Sequence, residues 1–145
     1  DYLAALRPRV SKEDKLKALD YAFSNYLKPY DYNFDFRTDD ALVCSELVYK
    51  AYKKTDDKEG LTYPLNLVAG RWIVTPNDII KEFAIEHDAS YDDDGSAAYN
   101  ETYQRMQHKF VFFLDADEKN QRSDYAGVEE LKKSWRRKRY FMMLK

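Results

Sequence analysis

The stretch Leu42–Tyr52 constrains the fold most, because an apolar run passes within it into an amphipathic helix. Its third residue, Cys44, is the single cysteine of the chain and lies at that junction. Val48, Ala51 and Tyr52 follow Cys44 by four, seven and eight residues, which is the spacing of one helix face. The pattern therefore predicts a helix that begins at Cys44, with the Cys44 side chain on its buried face.

Local signals along the chain predict three more helices and four strands. Ser11 and Thr75 occupy positions typical of helix N-caps, and Pro76 suits the first helical position. The predicted strands cover 2–10, 71–74, 108–114 and 140–144, and the predicted helices cover 12–27, 76–87 and 128–137. This alternation predicts an α+β fold, with helices packed on a mainly antiparallel sheet.

All three of these helices carry an apolar face, which on the helix at 76–87 consists of Ile79, Ile80 and Phe83. The helix at 128–137 would turn Leu131 and Trp135 inward. The helix at 12–27 would bury a stripe made of Leu16, Leu19, Phe23, Tyr26 and Leu27.

Length and composition exclude several classes of protein. With 145 residues, 44% of them hydrophobic, the chain suits a single domain with one core. The net charge of −2 gives no signal for nucleic-acid binding. One cysteine allows neither an internal disulfide nor a thiolate zinc site, and no apolar run reaches the roughly 18–20 residues of a membrane span. We expect no metal or cofactor, because the acidic segment 88–100 does not place a glycine at position 6 and a glutamate at position 12, as a calcium-binding EF-hand loop requires.

The position of Cys44 has two interpretations. A thiol attacks acyl carbon as the thiolate, and the unpaired N–H groups in the first turn of a helix favour that thiolate and can donate to an oxyanion. Acyl transfer also needs a base, which is normally a histidine. The other interpretation is a small buried side chain, which free cysteine often is. Glu46 argues against a thiolate, because a carboxylate in the same helical turn raises the pKa of a thiol. Glu46 also has the spacing to form an ion pair with Lys50, four residues later.

Several segments carry a resemblance to a known family, namely Leu6-Arg7-Pro8, Ala18 and Ala22, Tyr30-Asp31-Tyr32-Asn33-Phe34, Cys44 to Tyr52, Gly70-Arg71 and Thr75-Pro76-Asn77-Asp78-Ile79. Over residues 1 to about 85 the chain resembles the YiiX/YebB-like branch of the NlpC-type, papain-like cysteine hydrolases. The resemblance implies a permuted papain-like fold and an acyl-enzyme formed on Cys44 from an amide, ester or thioester of a peptide or lipid. It also places Tyr30 near the site, as an oxyanion donor or water ligand. An ordinary packed tyrosine is the alternative for Tyr30.

The histidines do not fit the permuted order. In that branch the catalytic histidine precedes the cysteine, and no histidine precedes Cys44 here. Because the chain begins inside a predicted strand, we expect residues 1–145 to be the C-terminal part of the permuted domain, with the base upstream. His108 is the alternative base, since a histidine that opens a strand after the cysteine is the order of unpermuted papain-like enzymes. His87 is expected to interact with a helix dipole instead.

A second hypothesis is a catalytically inactive papain-like domain that binds a partner or a membrane. The missing upstream histidine favours it. Weak contact with an anionic membrane would use the basic residues Lys132, Lys133, Arg136 and Arg137. Under the first hypothesis the expected partner is a peptide or lipid acyl substrate, and under neither is nucleic acid expected.

Overall fold

Five strands and four helices make up the chain where the computed structural model describes it, in residues 2–89, 105–117 and 121–135. In chain order they are β1 (Tyr2–Pro8), α1 (Lys12–Ser24), α2 (Cys44–Tyr52), β2 (Asn66–Val68), β3 (Arg71–Ile73), α3 (Pro76–Ala89), β4 (His108–Asp117), β5 (Arg122–Ala126) and α4 (Val128–Ser134). Three strands form an antiparallel sheet in the order β1-β4-β5, and β2 and β3 form a separate antiparallel hairpin. The predicted α+β class with a mainly antiparallel sheet is confirmed.

The central strand β4 holds the sheet together by pairing with both of its neighbours. A bulge interrupts its pairing with β1, since Ala5 lies opposite Phe112 but the next residue, Leu6, lies opposite Phe110. Such a bulge bends the strand locally and increases its twist. Beyond it Pro8 pairs with His108, so the end of β1 fixes the first residue of β4.

The main core lies where α3 and α4 pack on this sheet. Phe83 of α3, Phe113 of β4 and Leu131 of α4 are at most 1% exposed and form a cluster with Met106. Each large apolar side chain buried in this way contributes roughly 1.5–3 kcal/mol to folding. The inward orientation predicted for Leu131 is confirmed, and Trp135 is partly buried. A second cluster, packed against α2, consists of Leu61, Tyr63 and Val74.

Two helices begin at the caps that the sequence predicts. The Ser11 hydroxyl accepts the N–H of Asp14 at 2.9 Å at the start of α1. At α3 the pairing is reciprocal, because Asp78 N–H donates to the Thr75 hydroxyl at 3.2 Å and the Asp78 carboxylate accepts the Thr75 N–H at 2.7 Å. A reciprocal pair of this kind satisfies two backbone donors that the helix leaves open.

The predicted burial of the apolar stripe on the first helix is wrong. The helix ends at Ser24, and the five stripe residues, Leu16, Leu19, Phe23, Tyr26 and Leu27, are each more than half exposed. Asp14 and Ala18 are buried in their place. Ala18 has only a methyl group to bury, and the Asp14 carboxylate accepts the N–H of Gly60 at 3.3 Å. Periodicity identifies an amphipathic helix, but the partners available on each side determine which face is covered.

Strand β5 lies in the segment 115–127, which the sequence pattern assigns to a polar connection. Arg122, Ser123, Asp124 and Tyr125 are all exposed, so this edge strand has no buried alternation that a pattern could reveal. The predicted strand at 140–144 and the part of the last predicted helix beyond residue 135 lie outside the described residues.

Candidate active site

Cys44 is the first residue of α2, and its side chain is exposed. The prediction that it lies on the buried face of the helix is therefore wrong. Val48, one turn further along the same face, is 39% exposed, whereas Glu46, Lys50 and Ala51 are buried. The thiol is open to solvent, and the helix packs through a face that carries two charges.

These two buried charges satisfy each other. Glu46 is 0% exposed, and one of its carboxylate oxygens lies 2.8 Å from the ammonium group of Lys50. The other oxygen accepts the N–H of Val43 at 3.2 Å, so Glu46 caps the first turn of α2. Lys50 also donates to the Asp39 carboxylate at 2.7 Å and to the carbonyl of Thr38. A buried charge is tolerated only when it is paired and hydrogen-bonded, and this network meets that condition.

The network changes the electrostatics next to the thiol. Although burial acts to lower the pKa of Lys50, its bonds to Asp39 and Glu46 raise that pKa overall, so the ammonium stays charged. Glu46 therefore acts beside Cys44 as half of an ion pair, and its effect on a thiolate is smaller than that of a lone carboxylate. The ion pair predicted between Glu46 and Lys50 is confirmed.

Backbone pairing brings Tyr30 to the start of α2. Tyr30 forms a parallel bridge with Leu42, in which the Leu42 N–H donates to the Pro29 carbonyl at 3.1 Å. The Asp31 N–H donates to the Leu42 carbonyl at 3.3 Å. Because Leu42 precedes Cys44 by only two residues, Tyr30 lies beside the entry to the helix.

The aromatic loop, defined here as residues 30–36, is shaped by Asp31. This side chain is 6% exposed, and its carboxylate accepts the N–H groups of Asn33 at 2.8 Å and Asp35 at 2.6 Å. Turns of this kind are typical of aspartate. The Tyr30 ring is 49% exposed and packs edge-on against Tyr32, with 5.1 Å between ring centroids. The sequence patterns did not predict this structural role of Asp31. The signal available for it was an aspartate that precedes Asn33 and Asp35 by only two and four residues.

A cleft of about 90 Å³ separates the aromatic loop from the β2–β3 hairpin. Phe34 and Phe36 line one side, and Gly70, Arg71 and Trp72 line the other. The aromatic loop thus adjoins both the start of α2 and the turn at Gly70-Arg71. Three of the segments that carry the family resemblance are therefore neighbours in space.

His108 lies in a different environment from Cys44. It is 4% exposed, its Nε2 lies 2.6 Å from the Tyr63 hydroxyl, and the two rings stack at 5.6 Å. Burial lowers the pKa of His108 to about 4 and raises the pKa of Tyr63 above its usual range, so both groups are neutral at pH 7. Among the hydrogen bonds of the described residues, none joins His108 to Cys44. A catalytic role for His108 stays a prediction, and nothing in the sequence pattern pointed to Tyr63.

The other histidine, His87, lies in the last turn of α3 and is buried. Its ring packs 5.7 Å from that of Phe83, and burial lowers its pKa below the ordinary value. Its predicted interaction with the helix dipole stays a prediction.

The basic residues near α4 are only partly described. Lys132 forms ion pairs with Asp88 and, at 2.9 Å, with Glu129, and its side chain is 13% exposed. Lys133 is exposed, and Arg136 and Arg137 lie outside the described residues. Membrane contact through this surface stays a prediction.

No helix in the described ranges is long and apolar enough to span a bilayer. In the same ranges no group of three His, Cys, Asp or Glu side chains is arranged to hold a metal ion.

Comparison with known families adds to this geometry. A family model described as a permuted papain-like amidase enzyme, the YaeF/YiiX or C92 family, matches residues 2–108. The chain belongs to the C92 family. The C92 match extends past the first 85 residues in which the resemblance is visible, and it includes the aromatic loop, Cys44 and, as its last residue, His108. The papain-like α+β fold is confirmed, and membership of an amidase family supports hydrolase activity. Searches of curated proteins and of solved structures found no match.

Proposed function

We propose that this C92 chain is a cysteine hydrolase in which Cys44 forms an acyl-enzyme. The thiolate adds to the carbonyl carbon of an amide, ester or thioester, and the amine, alcohol or thiol leaves with a proton. Water then cleaves the acyl-enzyme, which releases a carboxylic acid and restores the thiol. The observation that carries the proposal is the exposure of the single cysteine at the first residue of α2 in a chain of an amidase family.

Two kinds of donor support an oxyanion at this place. The N–H groups of Cys44 and Ser45 belong to the first turn of α2, where backbone donors have no acceptor within the helix. Such donors stabilise the charge that develops on a carbonyl oxygen. The Tyr30 hydroxyl is the proposed second donor, because its backbone is paired with Leu42 just before the helix.

Two histidines are candidates for the base that deprotonates Cys44. While the Tyr63 hydroxyl donates to Nε2, the neutral His108 ring has no free lone pair, so it can serve as the base only after this bond breaks or reverses its direction. A histidine from outside residues 1–145, as the permuted order implies, is the other source. The family description favours amides as substrates, and we propose peptide amides first and lipid acyl groups second.

Thiol reactivity tests the nucleophile directly. Because Cys44 is the single cysteine in residues 1–145, peptide mass spectrometry can follow its alkylation by iodoacetamide at pH 6 in the full-length protein. We expect it to react at least about tenfold faster in the folded protein than in the same protein unfolded in urea. Equal rates in the two states would remove an activated thiolate from the proposal.

Turnover tests the chemistry and the base together. Hydrolysis of an aryl amide or aryl ester by the full-length protein should fall by a factor of about 10³ or more in Cys44→Ser. A His108→Gln variant that keeps its rate would place the base elsewhere. Leu19→Ser is the matched control, because Leu19 is exposed on α1, and it should leave the rate unchanged.

The alternative is an inactive papain-like domain that binds a partner or an anionic membrane. Two observations favour it: Cys44 is exposed, and His108, the candidate base within the chain, is already hydrogen-bonded to Tyr63. Failure of a thiol-directed activity probe to label Cys44 in the folded full-length protein would support it. Binding to anionic vesicles that weakens as salt is raised would assign it to the basic surface.

A further inference from the structure

The cleft between the aromatic loop and the β2–β3 hairpin is not used by the proposed chemistry. Its volume is about 90 Å³, and its apolar lining consists of three aromatic rings, those of Phe34, Phe36 and Trp72. For scale, a cavity of about 150 Å³ admits benzene, and a pocket for a whole drug-sized ligand measures roughly 300 Å³ or more. The cleft therefore suits one small aliphatic group rather than a whole ligand.

Ring contacts connect the walls of this cleft to α2. Phe34 packs edge-on against Tyr30, with 6.3 Å between ring centroids, and Tyr30 lies beside the entry to the helix. Phe36 packs against Tyr49, a residue of α2, with 5.9 Å between centroids. A ligand in the cleft would therefore lie close to the helix that carries the thiol.

The cleft also carries charge. Arg37, Arg71 and Asp35 line it, so its walls have one net positive charge. Arg37 is already paired, because its Nε and Nη2 each donate at 2.7 Å to a different carboxylate oxygen of Asp35. The side-chain bonds from Arg37 are the main cause that lowers the pKa of Asp35 to about 2, and the charge of Arg71 adds the smallest contribution. Asp35 is thus committed to Arg37 and not to Arg71.

Arg71 is the cation that this pairing leaves over. Within the described ranges its guanidinium makes no hydrogen bond and no ion pair, although it lines the cleft. Its backbone is fixed, because Arg71 pairs with Val68 across a two-residue turn in which Ala69 and Gly70 both have positive φ. Such a turn matches the twist of a hairpin. The hairpin therefore holds an unpaired guanidinium at the cleft from a fixed backbone position.

A guanidinium binds a carboxylate through two parallel N–H donors, and bonds between charged groups are stronger than neutral ones. Next to the aromatic walls, Arg71 favours a ligand that has both a carboxylate and an aliphatic group. The C-terminal residue of a peptide carries both on one carbon atom. We propose that the cleft binds the C-terminal residue of a peptide substrate, with its carboxylate on Arg71 and its aliphatic side chain against the three rings. The proposal rests on the hydrolase function proposed above, because it takes the peptide as the substrate of Cys44.

Binding to the full-length Cys44→Ala protein tests the carboxylate without any turnover. The probes are acetyl-Ala-Ala-Leu with a free C-terminus and its C-terminal amide, which lacks the charge. The free acid should bind at least about tenfold more tightly, as expected for hydrogen bonds between charged groups. The preference should disappear when Arg71→Gln is added and persist when Arg122→Gln, on exposed strand β5, is added as the charge-matched control. Equal affinity of the two peptides, binding of neither, or a preference that survives Arg71→Gln would overturn the proposal.

Two further peptides locate the carboxylate and the side chain. The amide of acetyl-Ala-Asp-Leu carries its carboxylate on a side chain, and it should bind no more tightly than the neutral amide. If it bound as the free acid does, the ligand would be an acidic side chain, contrary to the proposal. Acetyl-Ala-Ala-Gly with a free C-terminus should bind about fivefold or more weakly than the leucine peptide, because it leaves the rings uncovered. Equal binding would contradict the aliphatic half of the site.

Hydrolysis by the wild-type protein is judged separately from binding. If Cys44→Ala binds the free acid through Arg71 but the wild type hydrolyses none of the peptides, the binding site stands and the hydrolase function fails. If the wild type hydrolyses the acid and the amide with equal kcat/KM, the hydrolase function stands and the assignment of Arg71 is overturned.

Discussion

Buried ionisable groups are charged at the start of α2 but neutral in the Tyr63–His108 pair. At α2, Glu46 and Lys50 are both buried and both charged, because each has an ion-pair partner of opposite charge. At the second site His108 is equally buried but has only the neutral Tyr63 hydroxyl, and it responds by staying neutral. Burial thus fixes a charge where a counter-charge is present and removes the charge where it is not.

This difference bears on the candidate chemistry. The charged network leaves Cys44 on the surface, where a substrate can reach it. The neutral pair holds His108 in an apolar setting, where a low pKa makes it a poor base at pH 7. A dyad of Cys44 and His108 therefore stays a prediction.

The largest expected effect comes from breaking the charged network. Glu46→Ala should destabilise the fold by about 3 kcal/mol or more, because it leaves buried Lys50 with one less partner and the Val43 N–H without its cap. The free energy of unfolding in urea measures it. Glu46→Gln is the control: it keeps an oxygen for the Val43 N–H and should lose less. A loss below about 1 kcal/mol in Glu46→Ala would show that the network is not needed for stability.

The neutral pair predicts a pH dependence with a definite sign. The pKa of His108 is about 4 in the folded protein and about 6.5 in an unfolded chain. Its contribution is therefore fully present above pH 6.5 and is lost as the pH falls towards 4, because the unfolded chain takes up the proton first. The expected loss is about 3 kcal/mol, measured as the free energy of unfolding from pH 7 to 4.

A His108→Gln variant isolates this effect, since His87 also has a pKa lowered by burial and titrates in the same direction. The pH dependence of His108→Gln should be shallower than that of the wild type by about that amount. Identical slopes would mean that His108 is solvated, contrary to its burial.

A smaller effect is expected at the partner of His108. Tyr63→Phe removes a buried hydroxyl that bonds to Nε2 and should cost about 1–2 kcal/mol in the free energy of unfolding. Tyr52→Phe, at a partly buried tyrosine packed against the same core cluster, is the matched control and should cost less. Equal losses in the two variants would argue that the Tyr63–His108 bond adds nothing beyond packing.

The smallest effect is expected at Cys44 itself. Cys44→Ser should change the free energy of unfolding by no more than about 0.5 kcal/mol, because the side chain is exposed. Thermal unfolding of the two proteins measures it. A loss of 1 kcal/mol or more would restore the buried position that the helical spacing predicted, and it would remove the contrast between the two sites.

Signals that act over a few residues were readable in advance. The caps at Ser11 and Thr75, the Glu46–Lys50 pair and the apolar strand that begins at His108 all depend on neighbours within four residues or on a continuous apolar run. Local geometry fixes such features wherever the segment ends up in the fold.

The sequence did not reveal which face of each helix is buried, and α1 shows why. Its stripe of large apolar residues has the period of a buried face, yet the chain covers the opposite face through Asp14 and Ala18. On α2 the same reasoning placed Cys44 inward, because a pattern of apolar residues cannot anticipate that two charges will be buried as a pair. Edge strand β5 was missed for a different reason: its exposed residues are polar or aromatic, so it has no apolar alternation for a pattern to reveal.

The sequence by itself determined the four helices, strands β1, β3 and β4, the α+β class, the resemblance to the family and the place of Cys44 at a helix start. The tertiary structure decided which faces are covered, which charges are paired and that His108 bonds to Tyr63, 45 residues earlier in the chain. The physical reason is one of range. Caps and helical periods are set by neighbouring residues, whereas exposure and protonation depend on segments that only folding brings together.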